Sequence, residues 1–314
     1  MKQRVITAIF MLLILAPLYL LGGWFSTILI VALASIGTYE LVSMYQKKSN
    51  IPSICKYIIP LFSGIIVLIS GIVSSGFAAA KVTTYSIIII FVIFLVLSIF
   101  DRNICFKDCI FFIFFILYSG VTFGIFEFIR NLKFLPNHKV FGEILKFTIF
   151  NLDINAVGFI MMTYVLVCVM FTDMGGYTFG RIFGKHKLCP HISPKKTIEG
   201  AIGGTIVGAL FGTLFIGLFL LILNPVQASA IKIMNISNNY LYLCALFGIS
   251  IVVSIAGQLG DLVASKLKRE FELKDFGNIF PGHGGVLDRF DSTILGGLIY
   301  YIILIVLGVM LWWI

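Results

Sequence analysis

Three aspartates stand near the C-terminal end of this chain, in a region with the residue types that bind metal ions and phosphate groups. If the carboxylates of Asp261, Asp288 and Asp291 converged, they would repel one another strongly unless a cation lay between them. Oxygen ligands of this kind suit Mg²⁺, which binds one or two carboxylates together with water and phosphate oxygens. We therefore predict that these three aspartates hold one or two cations, Mg²⁺ among them. Two simpler interpretations stay open: helix capping by Asp291 or Asp288, and ion pairs of Asp261 and Asp288 with the nearby basic residues Lys266, Lys268, Arg269 and Arg289.

The surrounding segment, residues 265–291, carries five Lys and Arg side chains around the run Gly282–Gly285, which reads Gly-His-Gly-Gly. Such a run is not helical, since each Gly costs about 1 kcal/mol relative to Ala in a helix. It lets backbone N–H groups approach an anion, as in phosphate-binding nests, although a plain turn between two helices is the alternative. The residues of this segment with predicted roles toward substrate phosphates are Ser265, Lys268, Arg269, His283, Gly284, Gly285 and Arg289.

A second polar segment, residues 173–204, begins at Asp173, which is predicted to contact the substrate. Its two adjacent lysines, flanked by hydroxyl groups, would suit a polyphosphate; the four residues are Ser193, Lys195, Lys196 and Thr197. A hydroxyl side chain here, followed by Glu199, also fits the cap of a helix. Small residues recur every fourth position, a pattern that favours close helix packing. They are Gly176, Gly180, Gly184, Gly204, Gly208 and Gly212.

The elements that must position these residues are membrane helices. The chain of 314 residues is 60% hydrophobic and 12% charged, whereas soluble domains average about 25% charged residues. A bilayer core requires about 20 apolar residues in a helix, and no alternating barrel pattern is present. We predict an all-α polytopic membrane protein with about nine transmembrane helices, whose cytoplasmic polar loops form the active site. The predicted spans are 5–22, 24–44, 57–79, 83–100, 108–128, 155–174, 200–223, 240–263 and 292–313. The first is read as a retained helix because it lacks the cleavage site of a signal peptide.

The distribution of basic residues predicts the orientation. With a cytoplasmic N-terminus, 17 of the 23 Lys and Arg residues lie on the cytoplasmic side, together with both polar segments. The loop 130–153 breaks the rule with its four basic residues, and we assign it no function. We expect a multi-pass protein of the bacterial inner membrane, with residues 1–150 as a helical scaffold and residues 151–314 as the catalytic region.

The net charge and the cysteine spacing argue against nucleic-acid-binding proteins and zinc proteins. The net charge of +9 is consistent with positive cytoplasmic loops and anionic lipid or nucleotide phosphates, so nucleic acid is not expected as a partner. The six cysteines show no paired spacing typical of zinc sites.

The 265–291 segment resembles the signature of the phosphatidate cytidylyltransferase family, also called CDP-diacylglycerol synthases. That signature runs S-x-hydrophobic-K-R, then K-D, then P-x-H-G-G-hydrophobic-x-D-R-x-D. The residues that match it are Ser265, Leu267, Lys268, Arg269, Lys274, Asp275, Gly277, Phe280, Pro281, His283, Gly284, Gly285, Val286, Asp288, Arg289 and Asp291. The upstream segment is similar through Asp173, Tyr177, Gly180, Arg181, Gly184, Lys185, residues 193–197, Glu199 and Gly200. One departure is Ala264, where many members have Glu; we infer the loss of a peripheral contact.

The resemblance implies an enzyme that converts CTP and phosphatidate into CDP-diacylglycerol and pyrophosphate with Mg²⁺, and that forms a homodimer in many members. The carboxylates would then hold the metal, and Lys268 and Arg269 would act on the reacting phosphates. Two other classes of membrane protein stay open as alternatives. A CTP-dependent polyprenol or lipid kinase would release CDP instead of pyrophosphate. A transporter would place its polar residues near the membrane midplane, often in paired repeats, which this sequence does not show.

Overall fold

A computed structural model describes residues 2–72, 76–100, 104–132, 146–149, 152–223, 231–234 and 236–310 of the protein. The chain forms two compact units. The first comprises Met1–Asn131 with Lys268–Phe290, and the second comprises Leu132–Leu267 with Asp291–Ile314. The division predicted at residue 150 concerns where catalysis resides, and it stays a prediction.

The first unit is built from helices that run along apolar stretches of the sequence. They are α1 (Lys2–Leu21), α2 (Gly23–Gln46), α3 (Cys55–Ile72), α4 (Gly76–Phe100), α5 (Phe106–Phe115) and α6 (Thr122–Arg130). A six-residue π-helical segment, Ile116–Val121, joins α5 to α6 without a break. Its Gly120 lies against Ser63 of α3 so closely that an added Cβ would approach the Ser63 Oγ to 2.9 Å. The absence of a side chain there permits this contact.

The second unit contains four short strands and the remaining helices. In chain order they are β1 (Lys146–Ile149), β2 (Leu152–Asn155), α7 (Ala156–Phe183), β3 (Lys187–Cys189), β4 (Ser193–Thr197), α8 (Ile198–Ile222), α9 (Asn239–Glu270) and α10 (Leu287–Met310). Both strand pairs are antiparallel: Lys146 faces Asn155 in the first, and Cys189 faces Ser193 in the second. Helices α9 and α10 contribute most of their length to this unit.

The regularly spaced glycines pack α7 against α8. A Cβ added to Gly200 would lie 2.7 Å from the carbonyl oxygen of Gly176, and one added to Gly204 would lie 2.6 Å from that of Thr172. At Gly208 it would meet the carbonyl of Cys168 at 2.6 Å. Contacts this short leave no room for a side chain. The packing interpretation of these glycines is therefore confirmed, and the contact is made within the chain.

The membrane class is confirmed by the described part of the chain. Seven of its helices are long and apolar enough to cross a membrane. They are Gly23–Gln46, Cys55–Ile72, Phe106–Arg130, Ala156–Phe183, Ile198–Ile222, Asn239–Glu270 and Leu287–Leu307, with Tyr85–Phe100 as a shorter apolar helix. Every predicted span falls largely on a helix, and the count of nine spans stays a prediction.

Two local expectations need correction. Residues 187–197 of the polar segment 173–204, for which no strands were predicted, form the β3–β4 hairpin. Arg130, which was counted as a basic loop residue, instead ends α6 with a fully buried side chain. Its guanidinium donates to the carbonyl of Tyr19 at 2.9 and 3.0 Å and to that of Leu20 at 2.9 Å. It therefore satisfies carbonyl groups at the end of α1, which have no partners inside their own helix. Residues 133–145 and 150–151 of the 130–153 loop lie outside the described residues.

Candidate functional site

The first unit contains a buried carboxylate held by several donors, which we call the Asp288 cluster (Lys268, Phe276, Gly285 and Asp288). The Lys268 ammonium donates to Asp288 Oδ1 at 2.9 Å. The backbone N–H groups of Phe276 and Gly285 donate to Asp288 Oδ2 at 2.8 and 2.9 Å. The Lys268 and Asp288 side chains are 13% and 4% exposed. Burial of this pair is offset by its mutual hydrogen bonds, as buried charges require. The ion-pair interpretation therefore describes Asp288 in this structure, with Lys268 as its partner.

The glycine run forms the turn that precedes α10. Gly282 and Gly284 have φ angles of 79° and 84°, a left-handed backbone conformation that glycine adopts without strain. The Phe280 N–H donates to the Gly284 carbonyl at 2.9 Å, and the His283 N–H donates to the Phe280 carbonyl at 2.8 Å. Among the described residues, His283 Nδ1 has no hydrogen-bond partner. The turn interpretation is thus correct for the backbone, whereas a role toward substrate stays a prediction.

Glu40 of α2 is part of the same arrangement, and the sequence reasoning missed it. Its side chain is 2% exposed. Its two carboxylate oxygens accept hydrogen bonds from the N–H groups of Val286 and Leu287 at 2.9 and 3.1 Å. The available signal was an acidic residue within a predicted span, since ionisable groups inside membrane helices commonly mark functional sites.

Three successive N–H groups at the start of α10 therefore face protein carboxylates. Gly285 donates to Asp288, and the next two residues donate to Glu40. Of these three groups, only the Gly285 N–H belongs to the glycine run, and contact of the run with a substrate anion stays a prediction. Arg269 and Arg289, predicted to contact phosphates, have exposed side chains.

The second unit contains a more open group, which we call the Asp261 cluster (Asp173, Lys196, Asp261 and Ser265). The Lys196 ammonium lies 2.5 Å from Asp261 Oδ2, and the two side chains are 27% and 25% exposed. Ser265, one helical turn further along α9, donates to Asp261 Oδ1 at 3.2 Å. Asp173 of α7 lies close enough to interact electrostatically with both Asp261 and Lys196. The structure thus brings together four predicted site residues from α7, β4 and α9.

Asp291 belongs to the second unit and is the fifth residue of α10, just past its first turn. Its Oδ1 accepts from the backbone N–H of Ser292 at 2.8 Å. Its backbone carbonyl packs on Gly260 of α9, where an added Cβ would approach it to 2.7 Å. Because Gly260 has no side chain, α9 and α10 can approach each other closely at the residue next to Asp261.

The β3–β4 hairpin leads directly into α8. Thr197 is the N-cap residue, and its hydroxyl accepts from the Gly200 N–H at 3.1 Å. The capping prediction is therefore confirmed for Thr197. Glu199 accepts from the N–H of Lys185 at 3.1 Å and lies 2.6 Å from His186 Nδ1, which ties the hairpin to the helix. Lys195 is exposed and Ser193 is half-buried.

The donor chemistry is suitable for a magnesium ion in the second unit. Asp173 and Asp261 offer carboxylate oxygens, and Mg²⁺ requires only one or two carboxylates beside water and phosphate. Within the described ranges, no group of three or more His, Cys, Asp or Glu side chains is arranged to hold a metal ion. A bound cation would compete with Lys196 for Asp261.

The fold and these clusters define a polytopic helical membrane protein with carboxylates and lysines gathered at helix ends and in the segments that join helices. Residues 2–307 match the cytidylyltransferase family, and the chain belongs to that family. It is 35% identical to the phosphatidate cytidylyltransferase of Staphylococcus haemolyticus over 295 residues, which covers 93% of this chain and 94% of the relative. It is 32% identical to the phosphatidate cytidylyltransferase of Bacillus subtilis over 298 residues, 93% of each chain. The family prediction is confirmed.

Proposed function

We propose that this protein transfers the cytidylyl group of CTP to phosphatidate, forming CDP-diacylglycerol and pyrophosphate for phospholipid synthesis. The observation that carries the proposal is similarity along nearly the whole chain to relatives named phosphatidate cytidylyltransferase. The 265–291 signature, with its Lys268–Asp288 pair, supports the same reaction.

In this reaction a phosphate oxygen of phosphatidate attacks the α-phosphorus of CTP. The new P–O bond forms as the bond between the α-phosphorus and the bridging oxygen breaks, and pyrophosphate leaves with that oxygen. The attacking oxygen is already ionised at neutral pH, so no general base is required and His283 is given no such role. The barrier is the approach of two anions, which positive side chains lower by neutralising charge.

The proposed phosphate-binding residues of the second unit lie on and beside β4. Lys196 reaches the carboxylate of Asp261, and an incoming phosphate would replace that partner. Lys195 has an exposed side chain, available to a ligand. Ser193 and Thr197 add hydroxyl groups, although Thr197 already caps α8. In the first unit, Lys268 is the proposed cationic contact, together with Arg269 and Arg289.

Mg²⁺ is the proposed cofactor. When bound, it would neutralise phosphate charge and polarise the phosphoryl group. Asp261 has the carboxylate best suited to it, since the side chain is 25% exposed and stands beside a second acidic group. Asp288 is 4% exposed, and both of its oxygens accept from protein donors. The roles of Asp288 and Asp291 as metal ligands, and a second cation, stay predictions.

The proposed location is the bacterial inner membrane, with the N-terminus and both polar segments in the cytoplasm, where CTP is available. The excess of basic residues in the predicted cytoplasmic loops supports this orientation. A homodimer stays a prediction that follows from the family resemblance.

The fates of the α- and γ-phosphates of CTP distinguish cytidylyl transfer from the alternative, transfer of the γ-phosphoryl group by a lipid kinase. Purified protein in detergent is incubated with phosphatidate, Mg²⁺ and CTP labelled at either the α- or the γ-phosphate. We expect the α-label in the lipid product and the γ-label in pyrophosphate. A lipid carrying the γ-label would identify a kinase and refute the proposal.

The Asp288 assignment is tested with Asp288→Asn, and Glu272→Gln serves as a control from the same segment. The Glu272 side chain is 83% exposed. We expect loss of CDP-diacylglycerol formation only in the Asp288 variant, with both proteins folded. Wild-type activity of folded Asp288→Asn at saturating Mg²⁺ would exclude Asp288 from the metal site.

A further inference from the structure

Glu40 lies outside the 265–291 signature, yet its side chain contacts residues of that segment. Its carboxylate accepts from two N–H groups that lie 246 and 247 residues further along the chain. A carboxylate buried in an apolar span is costly unless it is fully hydrogen bonded. The two N–H groups belong to the start of α10, where helix geometry leaves backbone donors without partners. Glu40 therefore caps this helix from another helix.

The segment that surrounds Glu40 leaves space for its carboxylate. A Cβ added to Gly277 would lie 2.5 Å from Glu40 Oε1, and one added to Gly285 would also clash with that oxygen. Two glycines of the signature thus lack side chains where the Glu40 carboxylate lies. Neither has a φ angle in the left-handed region, so close approach, and not backbone conformation, explains why glycine is required.

The contacts of Glu40 continue directly into those of Asp288. Asp288 accepts a hydrogen bond from the N–H of Gly285, and Glu40 accepts from those of Val286 and Leu287. Without the Glu40 carboxylate, the N–H groups of Val286 and Leu287 would be buried without acceptors, which is unfavourable. Asp288 is an alternative acceptor, since it already accepts from the Gly285 N–H of the same turn. Its movement toward those groups would weaken its 2.9 Å contact with Lys268.

We propose that Glu40 is a positioning residue for cytidylyl transfer: it holds the Gly285–Leu287 backbone so that Asp288 and Lys268 keep their mutual geometry. This inference rests on the proposed function. Glu40 itself does not contact the reacting atoms in this account. In metal sites, loss of the contacts that orient a ligand reduces activity by about 10- to 100-fold. We expect a loss of that order here, because small displacements of reacting groups carry large rate penalties.

The test compares Glu40→Gln with Glu127→Gln. Glutamine keeps the size of the side chain but has one acceptor oxygen where Glu40 has two, so it cannot offer the Val286 and Leu287 N–H groups a separate oxygen each. Glu127 is the matched control, since it is a buried glutamate of the same unit whose partners are the side chains of Thr27 and Asn131. For each purified variant, the folded fraction, kcat and the KM values for CTP and phosphatidate are measured.

We expect Glu40→Gln to lower kcat by about 10- to 100-fold per folded molecule, with smaller changes in either KM. Glu127→Gln should lower stability and keep kcat per folded molecule. Glu40→Asp, which retains a carboxylate, should recover part of the kcat that Glu40→Ala loses. Glu40→Gln with wild-type kcat, or an equal kcat loss in Glu127→Gln, would overturn the inference.

A second variant keeps the inference testable if Glu40 substitutions do not fold. Gly277→Ala leaves Glu40 in place but directs a methyl group at its oxygen. It should show the same selective loss of kcat, and an unchanged kcat would equally overturn the inference. The proposed function fails separately: wild-type protein that forms no CDP-diacylglycerol refutes it, whereas active wild type with a fully active Glu40→Gln refutes only the role of Glu40.

Discussion

Replacement of Lys268 by methionine should destabilise the first unit through one identifiable set of lost contacts. The ammonium loses its 2.9 Å bond to Asp288 Oδ1 and its position 5.0 Å from the ring centroid of Phe276. A hydrogen bond between charged groups contributes about 1.5–3 kcal/mol, and a cation–π contact adds about 0.5–1 kcal/mol. Because Asp288 Oδ2 keeps its two backbone donors, we expect a loss of about 2–4 kcal/mol in the free energy of unfolding.

The assay is equilibrium unfolding by SDS in mixed micelles, with Lys48→Met as the matched control. Lys48 pairs with Glu272 at 3.0 Å, but those side chains are 42% and 83% exposed. Exposed pairs contribute about 1 kcal/mol or less, so the control should change stability little. Lys268→Met leaves the negative charge of Asp288 without its partner. Combining it with Asp288→Asn removes that charge, so the double variant should be more stable than Lys268→Met alone. Equal losses in Lys268→Met and Lys48→Met, or no recovery in the double variant, would show that the Lys268–Asp288 contact does not stabilise the first unit.

Two further predictions concern the second unit. Gly208→Val should destabilise the α7–α8 contact by about 1–3 kcal/mol because the added atoms meet Thr172, Cys168 and Ser254. Gly248→Val is the control in the same unfolding assay, since a Cβ added there meets no described atom within 4 Å outside the nearby backbone of its own helix. Equal losses in the two variants would contradict the packing argument. Lys196→Gln should change stability by about 1 kcal/mol or less, since its ion pair with Asp261 is about one-quarter exposed. The same variant should raise the KM for CTP in a steady-state assay, and an unchanged KM would remove Lys196 from the proposed phosphate contacts.

The membrane class and the helices were predictable because they depend on local properties of the chain. An apolar run of about 20 residues forms a helix wherever it meets a bilayer, and α7, α8 and α9 fall where such runs occur. The turn before α10 was equally local, since Gly282 and Gly284 permit the left-handed backbone that it needs. The cap at Thr197 followed from the hydroxyl group that precedes α8.

The short strands were not predicted. β3 (KLC) and β4 (SPKKT) carry little apolar alternation, whereas β1 (KFTI) and β2 (LDIN) alternate apolar and polar residues, but over only four positions each. The strand pair at 187–197 is held by backbone hydrogen bonds and by Glu199, which contacts two backbone N–H groups and His186. The buried position of Arg130 also escaped prediction, because Lys and Arg counts treat every basic residue near a span as a loop charge. Its carbonyl partners lie 110 and 111 residues away, at the end of α1.

The sequence by itself determined the class of protein, the approximate positions of its helices and the two polar segments with their aspartates, lysines and glycines. Only the tertiary structure decided which of those residues are partners. It pairs Asp288 with Lys268 and Asp261 with Lys196, and it brings Glu40 to the start of α10. Spans and turns depend on residues that are neighbours in the sequence. The hydrogen-bond donors of a buried carboxylate depend on which helices pack together, and here a donor lies 247 residues away.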